Sequence, residues 1–205
     1  NYKDDKGEGR LTEWYESGEI KIDGNLKNDL KDGLMTMWYE SGQRRAEVNY
    51  QEGNPSGNYS SWFKNGQIKQ KGNYEDGKLD GKMTVWYESG RIKEEGNFKD
   101  GLPYGNWFYW HQNGQIMSEG NFKDGYPHGT HIQWYEIGQK EREGNYIRGK
   151  KNSKWTLWHE NGQISQQGNF KNGAEDGKWT AWYETGQIYT EGNWKRGKQD
   201  GKTIW

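Results

Sequence analysis

The stretch of sequence that determines the fold runs from residue 81 to residue 101 and reads GKMTVWYESGRIKEEGNFKDG. Strand-forming side chains dominate both halves of this stretch, and residues 88–90 between them have the composition of a turn. A three-residue loop that ends in glycine matches a type I turn followed by a left-handed residue, where glycine has no Cβ penalty. The stretch therefore predicts a β-hairpin in which Trp86 faces Ile92.

This hairpin recurs with a period of 24 residues. A glycine stands four residues after each repeated tryptophan, and another stands ten residues after all but the second, where the chain has Val48. The repeated tryptophans are Trp14, Trp38, Trp62, Trp86, Trp110, Trp134, Trp158 and Trp182. Such short units bury apolar surface only by stacking on their neighbours. We therefore predict an all-β fold in which tandem 24-residue hairpins form an elongated, twisted or curved single antiparallel sheet. Residues 1–205 would be a single repeat domain of about eight units with partial terminal units.

Helical repeats are the alternative architecture, and the glycines argue against them. Glycine occurs 31 times in 205 residues, and each glycine inside a helix would cost roughly 1 kcal/mol relative to alanine. No apolar stripe has the 3.6-residue period of a helix. Hydrophobic residues make up only 29% of the chain, but 13 Trp and 14 Tyr supply apolar surface. This composition indicates thin packed layers and not disorder.

The charge and hydropathy of the chain restrict its partners and its compartment. The 29 basic and 30 acidic residues are mixed along the chain and leave a net charge of −1, so we expect no nucleic acid partner and no binding to an anionic membrane. No apolar run suggests a membrane span or a signal peptide, which predicts a soluble chain. The chain begins with Asn1, which we interpret as processing or trimming of a preceding segment. The compartment stays open between the cytoplasm and export after removal of an N-terminal segment.

Alternation of side chains along the strands predicts two faces. The repeated Trp, the Ile that faces it, the glycine of Gly-Asn and the following aromatic are expected on a structural face, where glycine would leave room for an indole. The residues three before, one before and one after each Trp differ between units and are expected on a partner-binding face. Truncating Trp86 should then lower stability, whereas truncating Tyr109 or Trp155 should lower affinity. The candidate partner-binding residues are Trp107, Tyr109, His111, His131, Tyr135, Trp155, His159 and Tyr183.

The titratable residues do not form a catalytic pattern. His111 and His159 occupy a position that is Tyr or Phe in other units, so we interpret them as aromatic substitutes. His128 and His131 are three residues apart in a Gly-rich connection, and a metal site there would need further ligands. The sequence has no cysteine and no phosphate-binding loop. We therefore predict no catalytic, cofactor or metal site and no enzymatic activity. The recurring carboxylates are assigned to turns: Glu88, Glu136, Glu160 and Glu184.

The segments at residues 81–90 and 95–101 resemble MORN (membrane occupation and recognition nexus) repeats, in the bacterial variant found in YwqK-type antitoxin proteins. The resemblance covers essentially the whole chain and departs from the pattern at Val48, Leu30 and Ser153, where glycines are missing. It implies tandem hairpins with an aromatic-lined groove and a role in protein interaction or toxin neutralisation. It implies no catalytic residues.

Three hypotheses about function follow from these observations. The first is a non-enzymatic protein-interaction scaffold of the antitoxin or immunity type. The second is a carbohydrate or cell-wall binding module, because rows of aromatic side chains suit stacking on sugar rings. The third is a repeat protein that contacts phospholipid, which the balanced charge disfavours and a basic face would favour. No cofactor is expected, and exposed strand edges would permit end-to-end association.

Overall fold

A computed structural model of the chain describes residues 2–3 and 6–201, with the side chains of residues 7–201. The chain consists of two compact units, Asn1–Leu102 and Pro103–Trp205, which we call unit 1 and unit 2. Every regular element among the described residues is a β-strand, and consecutive long strands pair antiparallel within each unit. The prediction of an all-β chain of tandem antiparallel hairpins is therefore confirmed.

In unit 1 each long strand pairs with the long strand before it, while the short β5 and β10 pair with β4 and β9. The strands are β1 (Tyr2–Lys3), β2 (Lys6–Gly7), β3 (Gly9–Trp14), β4 (Ile20–Lys27), β5 (Leu30–Lys31), β6 (Gly33–Trp38), β7 (Arg44–Gln51), β8 (Asn54–Trp62), β9 (Ile68–Glu75), β10 (Lys78–Leu79), β11 (Gly81–Trp86) and β12 (Ile92–Lys99).

Unit 2 repeats this order, with the short β19 and β22 pairing with β18 and β21. Its strands are β13, which begins at the last residue of unit 1 (Leu102–Trp110), β14 (Ile116–Lys123), β15 (Tyr126–Trp134), β16 (Lys140–Ile147), β17 (Lys150–Trp158), β18 (Ile164–Lys171), β19 (Ala174–Glu175), β20 (Gly177–Trp182), β21 (Ile188–Lys195) and β22 (Lys198–Gln199).

The first turn of each repeat has the predicted geometry. Between β11 and β12, the Tyr87 amide donates to the Arg91 carbonyl at 2.8 Å, and the Gly90 amide donates to the Tyr87 carbonyl at 2.9 Å. Gly90 has φ 83°, in the left-handed region that favours glycine. Trp86 pairs with Ile92. The predicted loop and the predicted pairing beside it are both confirmed.

The second connection is a two-residue turn with positive φ at both residues, as in a type I′ turn. Asp100 has φ 52° and Gly101 has φ 81°, and this geometry matches the twist of paired strands. In the first repeat Asp29, with φ 64°, occupies the glycine position. The prediction that Leu30 replaces this glycine was wrong by one residue, because Leu30 begins β5. Ser153 does occupy a glycine position, with φ 61°.

A β-bulge next to the Trp–Ile pair determines which side chains share a face. Trp86 pairs with Ile92, but Val85 pairs with Glu94, so Lys93 is an extra residue on β12. The same shift occurs in all eight hairpins. One extra residue reverses the alternation of side chains along the rest of the strand. The glycine of Gly-Asn therefore pairs with the residue three before Trp, as Gly96 does with Met83.

The predicted assignment of the two faces was wrong because it counted alternation without this bulge. We call the residues three before each Trp the inner column: Leu11, Met35, Tyr59, Met83, Trp107, His131, Trp155 and Trp179. Met35, Trp107 and Trp155 are 0%, 3% and 2% exposed, whereas Trp14 is 59% exposed. A Cβ on Gly144 would overlap the indole of Trp155. The glycines do leave room for indoles, as predicted, but for those of the inner column.

Candidate functional site

The inner column of unit 2 belongs to a continuous series of aromatic rings. Successive rings lie 4.8 Å to 6.0 Å apart between centroids, at interplanar angles from 65° to 87°. Edge-to-face pairs of this kind add about 0.5–1.5 kcal/mol each beyond the burial of their area. The rings, which we call the aromatic ladder, are Trp107, Phe122, His131, Tyr146, Trp155, Phe170 and Trp179.

Polar contacts fix the indoles of the ladder. Trp155 Nε1 donates to the Asn145 carbonyl at 3.2 Å, and Trp179 Nε1 donates to the Asn169 carbonyl at 3.1 Å. Lys151 Nζ lies 4.5 Å from the Trp155 ring centroid and 4.9 Å from that of Phe170, within the range of cation–π attraction. Burial lowers the pKa of Lys151, and the positive charge of Arg142 lowers it further.

His131 is the exception in this ladder. Its imidazole lies on Gly120 in the same way that Trp155 lies on Gly144. Its Nε2 is buried without a hydrogen-bond partner among the described residues, and its Nδ1 is 3.4 Å from the Gly129 carbonyl. Burial lowers the pKa of His131, so the ring is mainly neutral at pH 7. An imidazole is too short to repeat the hydrogen bond that the indoles of Trp155 and Trp179 make.

A cavity of about 190 Å³ lies beside His131. Rings form much of its wall, and burial raises the pKa of one of them, Tyr146. Arg142 also lines the cavity, and its Nε donates to Gln133 Oε1 at 2.7 Å. The sequence reasoning put Gln133, which precedes Trp134, on the same face as His131, but it missed Arg142 and Tyr146, since the bulge was needed to place them beside His131. Tyr109, His131 and Trp155, which were predicted to share a face, do line this cavity together.

The residues that follow each repeated Trp link neighbouring hairpins. Tyr135 Oη donates to the Trp158 carbonyl at 2.8 Å. His111 and His159 place Nε2 2.9 Å from the carbonyls of Trp134 and Trp182. A carbonyl oxygen only accepts, so Nε2 carries the proton in both histidines. Their interpretation as substitutes for Tyr agrees with this geometry. In unit 1 the same hydrogen bond is made by Tyr15 and Tyr39.

The remaining candidates differ in how accessible they are. Trp107 and Trp155 are buried, so their assignment to an exposed binding face was wrong. The bulge brings the glycine and the aromatic residue of the following strand onto their face, which makes it the packed one. Tyr109 is partly exposed and stacks on Trp107 with ring centroids 6.1 Å apart. Tyr183 is 52% exposed and lies 5.0 Å from the ring of Tyr189. Its predicted role in partner binding stays a prediction.

The extra residue of each bulge, which we call the bulge position, is basic throughout unit 1. Three of these cations lie over the ring that follows the repeated Trp: Lys21 over Tyr15, Lys69 over Phe63 and Lys93 over Tyr87, at 5.7 Å to 6.0 Å. Neighbouring bulge positions are two strands apart, or about 10 Å. The full row is Lys21, Arg45, Lys69 and Lys93, and its counterpart in unit 2 is Met117, Glu141, Ser165 and Tyr189.

Unit 2 exposes several large apolar side chains. Tyr104, Tyr126, Ile137 and Ile147 are each more than half exposed. Aromatic side chains such as Tyr104 and Tyr126 are enriched at protein interfaces relative to the rest of the surface. In the aromatic ladder, by contrast, Trp107 and Trp155 are buried and the other rings are partly exposed.

The described residues contain no group of three or more His, Asp or Glu side chains placed to hold a metal ion. His128 and His131 line different cavities, and His128 shares a cavity of about 570 Å³ with Tyr126 and Arg148. Within the same residues, no helical segment is long and apolar enough to cross a bilayer.

Comparison with known proteins identifies a repeat family. The sequence model described as MORN repeat variant matches residues 7–28, 31–52, 55–76, 79–100, 103–124, 151–172 and 175–196. The hairpin that contains His131 lies in the stretch between the fifth and sixth of these matches. No curated protein matches the chain.

Two solved structures illustrate the likeness to proteins of known structure. A porin-like protein from Bacteroides uniformis is 8% identical, with 97% of this chain and 94% of that chain covered and a TM-score of 0.22. A TcdB2-TccC3-Cdc42 structure is 12% identical, with 92% of this chain and 12% of that chain covered and a TM-score of 0.18. At these TM-scores neither likeness carries an argument about fold or function.

Proposed function

The chain belongs to the MORN repeat variant family, and from this premise we propose that it is a non-enzymatic scaffold that binds a protein partner. Repeats of this family are interaction modules for proteins or lipids. The observation that favours a protein is the exposure of large aromatic side chains in unit 2, where Tyr104, Tyr126 and Tyr183 are 56%, 59% and 52% exposed. Tyrosines of this kind are enriched among the residues that carry binding energy in protein interfaces.

The finer role that we propose is that of an antitoxin or immunity-type protein. It rests on the resemblance of the repeats to the YwqK-type variant. Such a role requires a stoichiometric complex with one protein, because neutralisation means holding the partner in an inactive state. A partner that is toxic when expressed alone and harmless when co-expressed with this chain would support the role. A partner without toxicity would reject it and leave the scaffold proposal standing.

Affinity capture on the intact chain tests the scaffold proposal. The chain would be incubated with native lysate and, separately, with cell-wall glycan, and bound protein would be identified by mass spectrometry. We expect one stoichiometric protein, whose retention falls about tenfold in Tyr126→Ser or Tyr183→Ser. Lys154→Ala, an exposed change elsewhere in unit 2, serves as the control and should bind normally. Retention on glycan without any protein would reject the scaffold in favour of a carbohydrate module.

A second function, contact with anionic lipid, is favoured by the basic row at the bulge positions of unit 1. Lys69 and Lys93 are exposed, and juxtaposed cations near an anionic surface contribute about 1 kcal/mol each. Co-sedimentation with phosphatidylserine vesicles tests this function, with phosphatidylcholine vesicles as the control. Binding that is lost in Lys69→Glu/Lys93→Glu would support lipid contact. Equal binding to both vesicle types, or none, would reject it.

A further inference from the structure

We propose that the cavity beside His131 binds an indole or phenol side chain of a protein partner. This inference rests on the proposed scaffold function and names the chemistry of one contact within it. The cavity would then be the pocket that receives an aromatic anchor residue, while exposed side chains elsewhere in unit 2 supply the surrounding contacts.

The size of the cavity fits one aromatic side chain. Its volume is about 190 Å³, and a cavity of about 150 Å³ lined by apolar side chains takes up benzene. Tyr109, Tyr146 and Trp155 line it, so an inserted ring would meet other rings. The geometry of the ladder already shows that edge-to-face contacts are favoured here: Tyr146 lies 5.1 Å from Trp155 at 87°.

The hydrogen-bonding state of His131 indicates which aromatic ring fits. Nδ1 is the nitrogen near a carbonyl, that of Gly129 at 3.4 Å, and a carbonyl can only accept. In the neutral ring Nε2 is then an acceptor, and it is buried without a partner among the described residues. A ring with an N–H or O–H group would satisfy this acceptor after a small rotation of the imidazole. Tryptophan and tyrosine carry such a group, and phenylalanine does not.

Neighbouring hairpins show what the cavity lacks. Trp155 and Trp179 fill the equivalent column positions, and their Nε1 groups donate to the carbonyls of Asn145 and Asn169. The imidazole of His131 is one ring where an indole has two, and its Nε2 makes no such hydrogen bond. Independently, the family repeat pattern matches the hairpins before and after this one but not residues 125–150. The hairpin that departs from the family's sequence pattern is therefore the one in which the inner column lacks an indole.

Charge around the cavity favours a partner segment with a carboxylate near the aromatic residue. Arg142 lines the cavity, and Lys151 lies over Trp155. Glu119 is the acidic residue among the lining residues and Glu175 acts on Lys151, so Arg142 is the cation that a partner's carboxylate would meet in the cavity. A carboxylate next to the inserted ring would approach Arg142, whose guanidinium can bind it through two parallel hydrogen bonds.

Titration of the isotope-labelled full chain by NMR tests this inference with defined probes. These are the N-acetyl amides of tryptophan, tyrosine and phenylalanine, together with N-acetyltryptophan as the carboxylate form. We expect saturable shifts at His131, Tyr146 and Trp155 with a Kd on the order of 1 mM for the tryptophan amide. The phenylalanine amide should bind about fivefold more weakly, because it lacks one hydrogen bond.

Three variants locate the binding. His131→Trp fills the column and should lower affinity for the tryptophan amide at least about tenfold, whereas Tyr59→Trp, which places the same side chain in the inner column of unit 1, should not change it. Arg142→Gln should abolish the preference for N-acetyltryptophan over its amide, and it does not alter the inner column.

The inference is overturned if the probes cause no shifts at cavity residues, or if His131→Trp binds them as the wild type does. If the wild type and His131→Trp captured the same protein partner equally well, the cavity would not be the site that receives an aromatic residue of the partner. In that case the scaffold proposal stands, because the partner would still bind. Failure of the capture experiment alone, with probes bound in the cavity, would reject the scaffold and not the aromatic site.

Discussion

Units 1 and 2 use the same hairpin and the same bulge but fill the inner column with different side chains. Unit 1 has Leu11, Met35, Tyr59 and Met83, and unit 2 has Trp107, His131, Trp155 and Trp179. The two sets differ greatly in volume, yet both are accommodated on the same strand register. The turns, the bulge and the glycine pairs therefore specify the backbone, whereas the inner column is free to vary between repeats.

The bulge position extends this contrast to the surface. It holds four cations in unit 1, and Met117, Glu141, Ser165 and Tyr189 in unit 2. A bulged residue is an extra residue in the register of its strand, so the type of side chain there affects the backbone pairing little. Both units expose large apolar side chains, but unit 1 adds a row of charge and unit 2 adds the His131 cavity. The two units are suited to different kinds of contact.

The largest effect should come from removing an indole of the aromatic ladder. Trp155→Ala should lower the stability of unit 2 by about 3–5 kcal/mol, because it removes a buried ring together with its contacts to Tyr146, Phe170 and Lys151. Trp158→Ala, three residues along the same strand, should cost only about 1–2 kcal/mol, since that ring is partly exposed. Native-state hydrogen exchange of the amides in β16 to β18 measures both.

This pair of variants tests the corrected assignment of the faces directly. If Trp158→Ala destabilised unit 2 more than Trp155→Ala, the repeated tryptophans would form the core after all. Hydrogen exchange is the suitable measurement because repeat arrays open unit by unit and a single unfolding free energy is not well defined.

The next largest effect on stability should come from alanine substitutions at the glycine of Gly-Asn, which can be compared between the two units. A Cβ on Gly144 would overlap the Trp155 indole, whereas a Cβ on Gly72 would lie 3.5 Å from Leu79 Cδ2 and 3.7 Å from Met83 Cγ, which is ordinary contact. Gly144→Ala should therefore lower local stability by about 1–3 kcal/mol. Gly72→Ala should raise it by about 0.5–1 kcal/mol, because alanine loses less chain entropy on folding. Urea unfolding with hydrogen exchange in each unit provides the readout, and equal effects would contradict the proposed difference in packing.

Much of the fold could be predicted from the sequence because the turns have specific residue requirements. The 24-residue period and the loop ending at Gly90 gave the hairpins and the Trp86–Ile92 pairing, and the structure confirms both. The faces could not be predicted, because a bulge at Lys93 depends on pairing across strands, and the residues at that position, which range from Lys to Met, Glu, Ser and Tyr, share no signal. The sequence supplied several members of the cavity, namely Tyr109, His131 and Trp155, but placed them on the surface. Val48 was a clue to which face is packed. It replaces the glycine opposite Met35, and a side chain is tolerated there because the inner column of unit 1 is not aromatic throughout.

Filling the gap in the ladder should stabilise the chain. His131→Trp should raise the stability of the hairpin formed by β15 and β16 by about 1–2 kcal/mol at pH 7. The change fills the cavity and supplies an Nε1 donor for the Asn121 carbonyl, as Trp155 does for that of Asn145. Hydrogen exchange of the amides in β15 and β16 measures the gain. A loss of stability would mean that the cavity is not the space of a missing indole.

The difference in stability between His131→Trp and the wild type should depend on pH, and its sign can be worked out. Burial holds the pKa of His131 below its ordinary value of 6.5, so the unfolded chain takes up this proton first as the pH falls. The stability of the wild type is therefore complete above about pH 6.5 and declines as the pH falls from there towards the folded pKa. The advantage of His131→Trp should widen between pH 7 and pH 5, because only the wild type carries the buried imidazole. A difference that stays constant across this range would show that His131 titrates normally.

The smallest effect concerns the hydrogen bond that links neighbouring hairpins. Tyr39 Oη donates to the Trp62 carbonyl at 2.8 Å, but Phe63, one repeat later, has no group to donate to the Trp86 carbonyl. Phe63→Tyr should therefore raise the stability of unit 1 by about 0.5–1.5 kcal/mol, and Tyr39→Phe should lower it by a similar amount. The two changes form a matched pair, since each adds or removes one hydroxyl at the same position of adjacent repeats. If both lowered stability, the Phe63 ring would be fixed by its contact with Lys69, 5.7 Å from the ring centroid, and the basic row would contribute to the packing of unit 1 as well as to its charge.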